Sequence, residues 1–205
     1  MDFSISKDIT ITMLGGGATG KSSITVRKTA GHFLNVYDPT IEDSYRTAIL
    51  INKNKPDEMV VPCQILDTAG QEEFSALRDS YIRSGSAYIM VCSLISKNTL
   101  AELSELLEQI KRILDIDTLN NIPIVIAANK CDLTEKIEIN DEDLNAISDN
   151  FKIPYLKTSA KNNVNIDELF EIVLNKYIDI EKQKLIDNPE LVEIKKKKKR
   201  KCLIL

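Results

Sequence analysis

The sequence has little of what marks secreted, membrane-spanning or metal-binding proteins. It contains one histidine, His32, and four cysteines, and the cysteines do not have the spacing of metal ligands. The longest apolar run, Ala87–Cys92, falls far short of the ~20 residues that span a bilayer. No positively charged segment leads into an apolar stretch near the start. We therefore expect neither a signal peptide nor a membrane helix, and we expect a reducing, cytosolic environment.

The composition is that of a folded globular chain. Hydrophobic residues make up 43% and charged residues 28% of its 205 residues. These are ordinary globular values, and they exclude fibrous and wholly disordered chains. The length allows one sizeable core, and nothing in the sequence requires a second.

The net charge of −4 conceals an uneven distribution. Seven of the 27 basic residues are consecutive, Lys195–Lys201, so the rest of the chain has 20 basic against 31 acidic residues. An acidic body disfavours nucleic-acid binding, and a run of like charges cannot enter a packed core. We expect no nucleic-acid partner, and we interpret the run as a solvated interaction tail.

Short apolar runs alternate with longer helical patterns, as in βα units on a mostly parallel sheet. We predict six strands, at about Ile9–Leu14, Tyr45–Ile51, Met59–Leu66, Ala87–Leu94, Ile122–Ala128 and Pro154–Thr158. The segment Asn52–Pro62 contains turn residues and predicts a long hairpin between the second and third strands. The clearest helix has apolar residues at helical spacing from Leu100 to Leu114, and Thr99 with Glu102 predicts a capping box at its start.

Two other helices frame the predicted domain. The helix that begins at Lys21 is weak by propensity because β-branched residues follow, so it rests on the motif before it. A second plain pattern runs from Leu169 to Tyr177, and Asn165 can cap it. Periodicity stops beyond Lys184. We therefore divide the chain into a folded domain, 1–184, and a tail, 185–205.

A glycine-rich loop joins the first strand to the first helix. Gly15–Ser22, GGGATGKS, matches the pattern G-x-x-x-x-G-K-[ST]. Glycines let successive backbone N–H groups approach a polyphosphate, and the helix start adds partial positive charge. Lys21 would reach the β and γ phosphates, and the Ser22 hydroxyl would bind Mg²⁺. The alternative is a glycine-rich turn that matches by accident.

Four further segments follow in a fixed order: Tyr37–Tyr45 (YDPTIEDSY), Asp67–Phe74 (DTAGQEEF), Asn129–Asp132 (NKCD) and Thr158–Lys161 (TSAK). We call Gly15–Ser22 the phosphate loop. Together with it, the order and spacing of these four segments closely resemble the Ras branch of the small GTPases over about residues 9–180. The resemblance implies the P-loop GTPase fold, a three-layer α/β/α sandwich around a six-stranded, mostly parallel sheet. It also implies GTP and GDP as substrate and product, with Mg²⁺ as cofactor.

The resemblance assigns roles residue by residue. The implied GTP-binding set is Gly15, Gly17, Ala18, Thr19, Gly20, Lys21, Ser22, Ser23, Phe33, Tyr37, Pro39, Thr40, Gly70, Asn129, Lys130, Asp132, Ser159, Ala160 and Lys161. The implied metal set is Ser22, Thr40 and, through water, Asp67. The implied catalytic residues are Lys21, Gly70 and Gln71, of which Gln71 orients the attacking water and is too weak a base for fast intrinsic hydrolysis.

Asp132 predicts the base. A carboxylate can accept two parallel hydrogen bonds from guanine N1–H and its exocyclic amine, a face that adenine does not present. This disfavours an ATP-using P-loop enzyme. By resemblance, Lys130 lies along the base, Asn129 supports the loop and the Ala160 N–H meets the guanine oxygen. Phe33 either flanks the base or anchors the first helix.

The implied switches are two loops, one around Thr40 and one around Gly70 and Gln71. The γ-phosphate orders them, and hydrolysis releases them. The implied effector region is Tyr37, Asp38, Pro39, Thr40, Ile41, Glu42, Asp43, Ser44 and Tyr45. The expected partners are a nucleotide exchange factor, effectors with Ras-binding domains and a GTPase-activating protein. The last would supply an arginine finger, because no arginine in these motifs clearly does so.

The chain also departs from the family pattern. Ala18 and Thr19 stand where common Ras members carry Gly and Val, which affects the expected exchange and hydrolysis rates. The hairpin Asn52–Pro62 is about five residues longer than in typical members, an insertion that surface loops tolerate. Gln71 is Ras-like where Rap usually has threonine, and a Rap-like member stays as an alternative. A nucleotide-bound scaffold with negligible turnover is the alternative from another class.

The last four residues, Cys202–Leu205, form a C-a-a-X box, and its final leucine favours geranylgeranyl over farnesyl. One lipid anchors marginally, and Lys195–Lys201 supplies a second, electrostatic signal for anionic lipids. We expect a prenyltransferase to modify Cys202. The prenyl group and the basic run would then direct the chain to the cytoplasmic face of the plasma membrane or of endomembranes. The alternatives are a nuclear localisation signal and an unmodified thiol.

Overall fold

The computed structural model describes residues 8–33, 40–70 and 75–187, without the side chains of residues 75 and 76. Its strands are β1 (Ile9–Leu14), β2 (Glu42–Ile51), β3 (Met59–Thr68), β4 (Ala87–Ser93), β5 (Ile124–Asn129) and β6 (Tyr155–Lys157). Its α-helices are α1 (Lys21–Ala30), α2 (Ser75–Ser84), α3 (Asn98–Leu114), α4 (Asp141–Phe151) and α5 (Ile166–Asp187), with a 3₁₀ turn at Thr134–Lys136.

The six strands form one sheet in the order β2-β3-β1-β4-β5-β6. All neighbours pair in parallel except β2 and β3, which form an antiparallel hairpin. In a parallel sheet the carboxyl ends of the strands meet at one edge, where ligands of α/β folds bind. That edge carries the residues that follow β1, β5 and β6, and Asp67 near the end of β3.

Two apolar clusters fill the space between the sheet and its helices. One joins the sheet to α1 and α5 and includes Ile24 and Phe170. The other joins the opposite face to α2, α3 and α4 and includes Ile82, Leu107 and Leu144. Burying each such side chain contributes roughly 1.5–3 kcal/mol. The prediction of a three-layer α/β/α sandwich with a six-stranded, mostly parallel sheet is confirmed.

The predicted strands all form, and their bounds differ by up to three residues. β1 has the predicted bounds, whereas β2 begins at Glu42 instead of Tyr45 because the antiparallel ladder continues to the pair Glu42–Thr68. β3 likewise extends past Leu66 to Thr68. Asp67 therefore lies within a strand, paired in register with Met13 of β1.

The predicted capping box of α3 is wrong. The helix begins at Asn98, and Lys97 at the cap position makes no side-chain capping hydrogen bond. The Thr99 hydroxyl instead donates to the Ser96 carbonyl at 2.7 Å and accepts from the Ser93 N–H at 3.0 Å. Thr99 is buried beside the end of β4, where the backbone N–H and C=O groups of the strand need hydrogen-bond partners.

The helix that propensity disfavours, α1, forms over Lys21–Ala30. Its β-branched threonines bond backward along the helix: Thr25 Oγ1 donates to the Lys21 carbonyl at 3.0 Å, and Thr29 Oγ1 to the Thr25 carbonyl at 2.8 Å. A capping box that we did not predict starts α4, where Asn140 and Asp143 exchange side-chain and backbone hydrogen bonds. Its third residue is Asp, where the usual pattern has Glu or Gln.

The long hairpin is fastened to α5. Asn52 and Asn175 exchange side-chain amide hydrogen bonds, both 3.1 Å long, and the Asn52 N–H donates to Glu171 Oε1 at 2.9 Å. Asn52 also donates to Asp57 within the hairpin at 2.8 Å. These bonds satisfy Asn52, which is almost fully buried, so the hairpin packs as part of the domain.

No helix within residues 8–33, 40–70 and 75–187 has both the length and the apolar character needed to cross a bilayer. Three cysteines in this part of the chain, Cys63, Cys92 and Cys131, are free thiols. Burial raises the pKa of Cys63 and of Cys92 to about 12, so both are packing residues in the core.

Candidate nucleotide site

The phosphate loop occupies the turn between β1 and α1 at the carboxyl edge of the sheet. A Cβ at Gly15 would lie 2.1 Å from the Val91 carbonyl oxygen, and one at Gly20 would lie 2.3 Å from Asn129 Nδ2. Both glycines also have positive φ, 147° and 102°, which L side chains rarely adopt. Close approach and backbone conformation therefore both require glycine at these two positions.

Ala18 occupies the left-handed region in this loop, with φ 54°. For a residue with a Cβ, this backbone conformation costs roughly 1–2 kcal/mol of conformational free energy. The Lys130 ammonium donates to the Ala18 carbonyl at 2.7 Å, which joins the NKCD loop to the phosphate loop. Alanine at position 18, where common Ras members have glycine, thus strains the backbone, but its side chain is too small to fill the phosphate loop.

Lys21 is almost fully buried under the phosphate loop. Its ammonium donates to the carbonyls of Gly15 and Gly16, both at 2.9 Å. Burial lowers the pKa of Lys21 to about 8, an effect that the Asp67 carboxylate opposes. Gly70 covers this ammonium, because a Cβ at Gly70 would lie 2.5 Å from Lys21 Nζ and 2.5 Å from the Gly16 oxygen. The structure thus brings together Lys21 and Gly70, two of the three predicted catalytic residues.

The three predicted metal-binding residues supply oxygen atoms at the same end. Ser22 Oγ and Thr40 Oγ1 lie 2.8 Å apart. Asp67 is fully buried, and neither of its carboxylate oxygens has a hydrogen-bond partner among the described residues. Burial raises the pKa of Asp67 to about 6, and the nearby Ser22 hydroxyl and Lys21 ammonium oppose that rise.

These oxygens fit a hard divalent cation such as Mg²⁺, which takes hydroxyl, carboxylate and water oxygens. No group of three or more His, Cys, Asp or Glu side chains able to hold a metal occurs in the described part of the chain. The donor set is therefore two hydroxyls and one carboxylate, of the kind that a metal shared with a phosphate ligand needs.

Asn129 joins the base end of the site to the phosphate loop. Its Nδ2 donates to the Thr19 carbonyl at 3.0 Å. Its Oδ1 accepts from Thr158 Oγ1 at 3.3 Å and from the Ala160 N–H at a long 3.4 Å. The predicted role of Asn129 as a support of the loop therefore has a geometric basis, and the Ala160 N–H lies beside it.

Asp132 is positioned by Ser159. The Ser159 hydroxyl donates to Asp132 Oδ1 at 2.6 Å and accepts from the Asn162 N–H at 3.0 Å. No hydrogen-bond donor in the described segments reaches Asp132 Oδ2. The carboxylate is half-buried and is held at one oxygen, which leaves acceptor capacity for a ligand base.

The remaining predicted residues are less central. Phe33 is partly buried against the core on the α1–α5 side, which agrees with its alternative role as an anchor of the first helix, so its contact with the base stays a prediction. Ser23 is half-buried in the first turn of α1, and Gly17 and Lys161 are exposed. A Cβ at Gly17 would meet only the Gly70 oxygen, at 4.0 Å.

Several predicted residues lie outside the described ranges: Gln71, Tyr37, Asp38, Pro39, Cys202 and the basic run Lys195–Lys201. The described part of the effector region follows Thr40 into β2. There Ile41 is 62% exposed, and Glu42, Asp43 and Ser44 are exposed while Tyr45 is half-buried. The Tyr81 hydroxyl of α2 donates to Glu42 Oε2 at 2.7 Å, which links α2 to the start of β2.

Two side chains at the site were missed from sequence. Arg27 of α1 reaches the carbonyls of the TSAK segment, and Glu102 of α3 lies beside the phosphate loop. A Cβ at Gly16 would lie 1.8 Å from Glu102 Oε2, so Gly16 makes room for this carboxylate. Arg27 lies in no motif and Glu102 lies only in the predicted capping box, and both reach the site through tertiary structure.

Comparison with known proteins agrees with this geometry. The model of the Ras family matches residues 10–179. The chain is 40% identical over 171 residues to Ras-like protein rasB of Dictyostelium discoideum, covering 83% of each chain. It is 40% identical over 202 residues to Ras-like protein rasC of the same organism, covering 98% of this chain and 100% of the relative. It is 41% identical over 164 residues to Ras-like protein 1 of Saccharomyces cerevisiae, covering 80% of this chain and 50% of the relative.

Proposed function

The chain belongs to the Ras family of GTPases, and on that premise we propose that it is a membrane-anchored GTP/GDP switch that hydrolyses GTP slowly and binds effectors in its GTP form. The observation that carries the proposal is the joining of a base reader to a phosphate loop. Asp132 is held by Ser159, while Asn129 and Lys130 of the same loop bond to the phosphate-loop carbonyls. A guanine nucleotide fits across this pair of loops.

At the phosphate end, Lys21 would bind the β and γ phosphates, and the N–H groups of the loop would surround them. Ser22, Thr40 and, through water, Asp67 would hold Mg²⁺. The metal would supply neutralisation of the phosphate charge. The fit is supported by the Ser22–Thr40 hydroxyl pair and by the buried Asp67 carboxylate, which has no donor in the described part of the chain.

Hydrolysis should be slow without a partner. Gln71 can orient a water but is a weak base, and a GTPase-activating protein would add an arginine that stabilises charge in the transition state. A nucleotide exchange factor would act in the opposite direction by releasing GDP. Effectors with Ras-binding domains would recognise the segment around Thr40, whose exposed part includes Ile41 and Glu42.

Single-turnover GTP hydrolysis with and without a GTPase-activating protein tests this proposal. We expect slow phosphate release from the protein alone and faster release with the partner. Gln71→Leu should abolish the acceleration, whereas the control Gln183→Leu, near the end of α5, should behave as wild type. GTP that stays intact in wild type with every activating protein tried would instead favour the nucleotide-bound scaffold.

The membrane anchor has its own test. Prenylation of Cys202 beside seven basic residues would supply the two signals that stable anchoring requires. Cys202→Ser should move the full-length protein to the soluble fraction, while Cys131→Ser, at a cysteine of the folded domain, should leave it in the membrane fraction. Membrane binding that survives Cys202→Ser would contradict prenylation, and nuclear accumulation would favour a localisation signal.

A further inference from the structure

Arg27 connects the last turn of α1 to the backbone of the base-binding segment. Its Nε donates to the Ala160 carbonyl at 2.7 Å, and its Nη2 donates to the Lys161 carbonyl at 2.9 Å. Its Nη1 donates to the Gly31 carbonyl, which closes the end of α1, at 2.8 Å. The planar guanidinium presents donors in a fixed fork, so one side chain holds three carbonyls.

The carbonyls that Arg27 holds belong to the segment that faces the base. Thr158, Ser159 and Ala160 are buried, and Ser159 in turn fixes Asp132. The N–H of Ala160 lies on the Asn129 side of this segment, while its carbonyl lies on the Arg27 side. The carbonyls of Ala160 and Lys161 share their peptide groups with the N–H groups of Lys161 and Asn162, and the Asn162 N–H donates to the Ser159 hydroxyl that holds Asp132. Holding these two carbonyls therefore restricts the backbone that follows Ala160 and supports Ser159.

Arg27 also couples the two ends of the site. α1 begins with Lys21 and Ser22 at the phosphates and ends at Ala30, close to Arg27. Two further links between the ends, from Asn129 to Thr19 and from Lys130 to Ala18, occur in the described part of the chain and start from the NKCD loop. Arg27 adds a link from the helix itself to the TSAK segment, and its bonds are charge-assisted, which makes them stronger than neutral ones.

We propose that Arg27 is a positioning residue that sets the lifetime of the bound guanine nucleotide by holding the Ala160–Lys161 backbone against the base. The proposal rests on the guanine-nucleotide binding proposed above. Arg27 acts through the backbone of the loop, because its side-chain hydrogen bonds go to the carbonyls of Ala160, Lys161 and Gly31 and not to the phosphate loop. Its removal should therefore change nucleotide release much more than the chemical step.

The test measures release of a fluorescent GDP analogue from the full-length protein, chased by excess GDP. Arg27→Gln should accelerate release about ten-fold or more, since one charged hydrogen-bonding group is lost from the loop. Arg27→Lys keeps the charge but cannot fork to both carbonyls, so it should give an intermediate rate. In both variants, single-turnover hydrolysis should change far less than release.

Lys28→Gln is the matched control. Lys28 is the next residue on α1 and pairs with Asp167 of α5 at 2.5 Å, so its change removes a charge and a helix contact without touching the loop. Its release rate should stay near that of wild type. Equal acceleration by Lys28→Gln would overturn the proposal in favour of general loosening of α1.

Four other outcomes are equally informative. Unchanged release in Arg27→Gln overturns this inference alone, and so does a fall in hydrolysis that parallels the rise in release. If Arg27→Gln does not fold, Arg27→Lys decides, because a wild-type release rate there would contradict the role of the fork. Wild-type protein that binds no GDP would overturn the proposed function and this inference together.

Discussion

At the base end of the site, the polar side chains are held by one another: Ser159 bonds to Asp132, and Asn129 bonds to both neighbouring loops. At the phosphate end, the Asp67 carboxylate is buried with no partner in the described part of the chain, and the Lys21 ammonium is buried with a pKa lowered to about 8. The base end is thus preorganised, whereas the phosphate end holds desolvated charge.

We therefore expect the base end to determine which nucleotide binds and the phosphate end to determine how strongly a metal with polyphosphate binds. A preorganised reader discriminates bases with little rearrangement, because the ordering of its loop is supplied by the protein. Buried charges of both signs gain most when a ligand brings opposite charges, and a metal with polyphosphate does so. We therefore expect changes at the base end to alter which nucleotide binds, and changes at the phosphate end to alter how stability depends on the metal.

The largest expected effect is at the base reader. Asp132→Asn should shift preference from guanine toward xanthine nucleotides, because an amide can donate to the extra xanthine carbonyl. Two hydrogen bonds to a charged group are lost for guanine, so the preference should change about 100-fold or more. Competition of GDP and XDP against a fluorescent GDP analogue measures it.

The control for this change is Asp149→Asn, at an exposed carboxylate of α4, which should keep the wild-type base preference. An Asp132→Asn protein that still prefers GDP by the wild-type factor would show that Asp132 does not read the base.

A smaller effect is expected at the phosphate end. In GDP with EDTA, Asp67→Asn should raise the free energy of unfolding by about 1 kcal/mol, because it removes a buried charge whose oxygens accept no hydrogen bond in the described part of the chain. In GDP with Mg²⁺ the order should reverse, since the metal stabilises the native form of wild type by mass action. Urea unfolding in the two buffers measures the crossover.

Asp149→Asn is again the control, and it should show the same shift, or none, in both buffers. If Asp67→Asn loses stability equally with and without Mg²⁺, the carboxylate is a packing group and not a metal ligand.

The smallest effect concerns the strained loop. Ala18→Gly should raise the free energy of unfolding by roughly 0.5–1 kcal/mol, because relief at φ 54° exceeds the added entropy of the unfolded chain. Ala101→Gly, in the interior of α3, should instead lower it by about 1 kcal/mol. Chemical denaturation of the two variants gives the signs, and a loss of stability in Ala18→Gly would mean that the left-handed backbone is not strained.

The parts of the fold and of the site that could be predicted from sequence are those that local motifs specify. The phosphate loop, the DTAGQEEF segment and the NKCD segment are local motifs, so the sequence could identify Lys21, Asp67 and Asp132 as site residues, and their roles stay predictions. β1 has its predicted bounds because the phosphate loop defines its end. The family match and the six-stranded sheet confirm the family and the fold.

What could not be predicted depends on contacts between distant parts of the chain. Arg27 is 133 residues from Ala160, and nothing in its neighbourhood marks it. Thr99 looked like a helix cap, yet its hydroxyl serves the backbone at the end of β4. The left-handed backbone at Ala18 is likewise set by the surrounding loops, since alanine by itself disfavours it.

The last helix has a mechanical consequence. Asn175 of α5 is fastened to Asn52 of the hairpin, and Ile178 is the last buried residue of the helix. The nine residues from Asp179 to Asp187 continue as helix for about 14 Å; Ile180, Glu181 and Leu185 are half-buried and the others are exposed. The end of α5 is therefore a helical spacer between Ile178, where full burial ends, and Asp187.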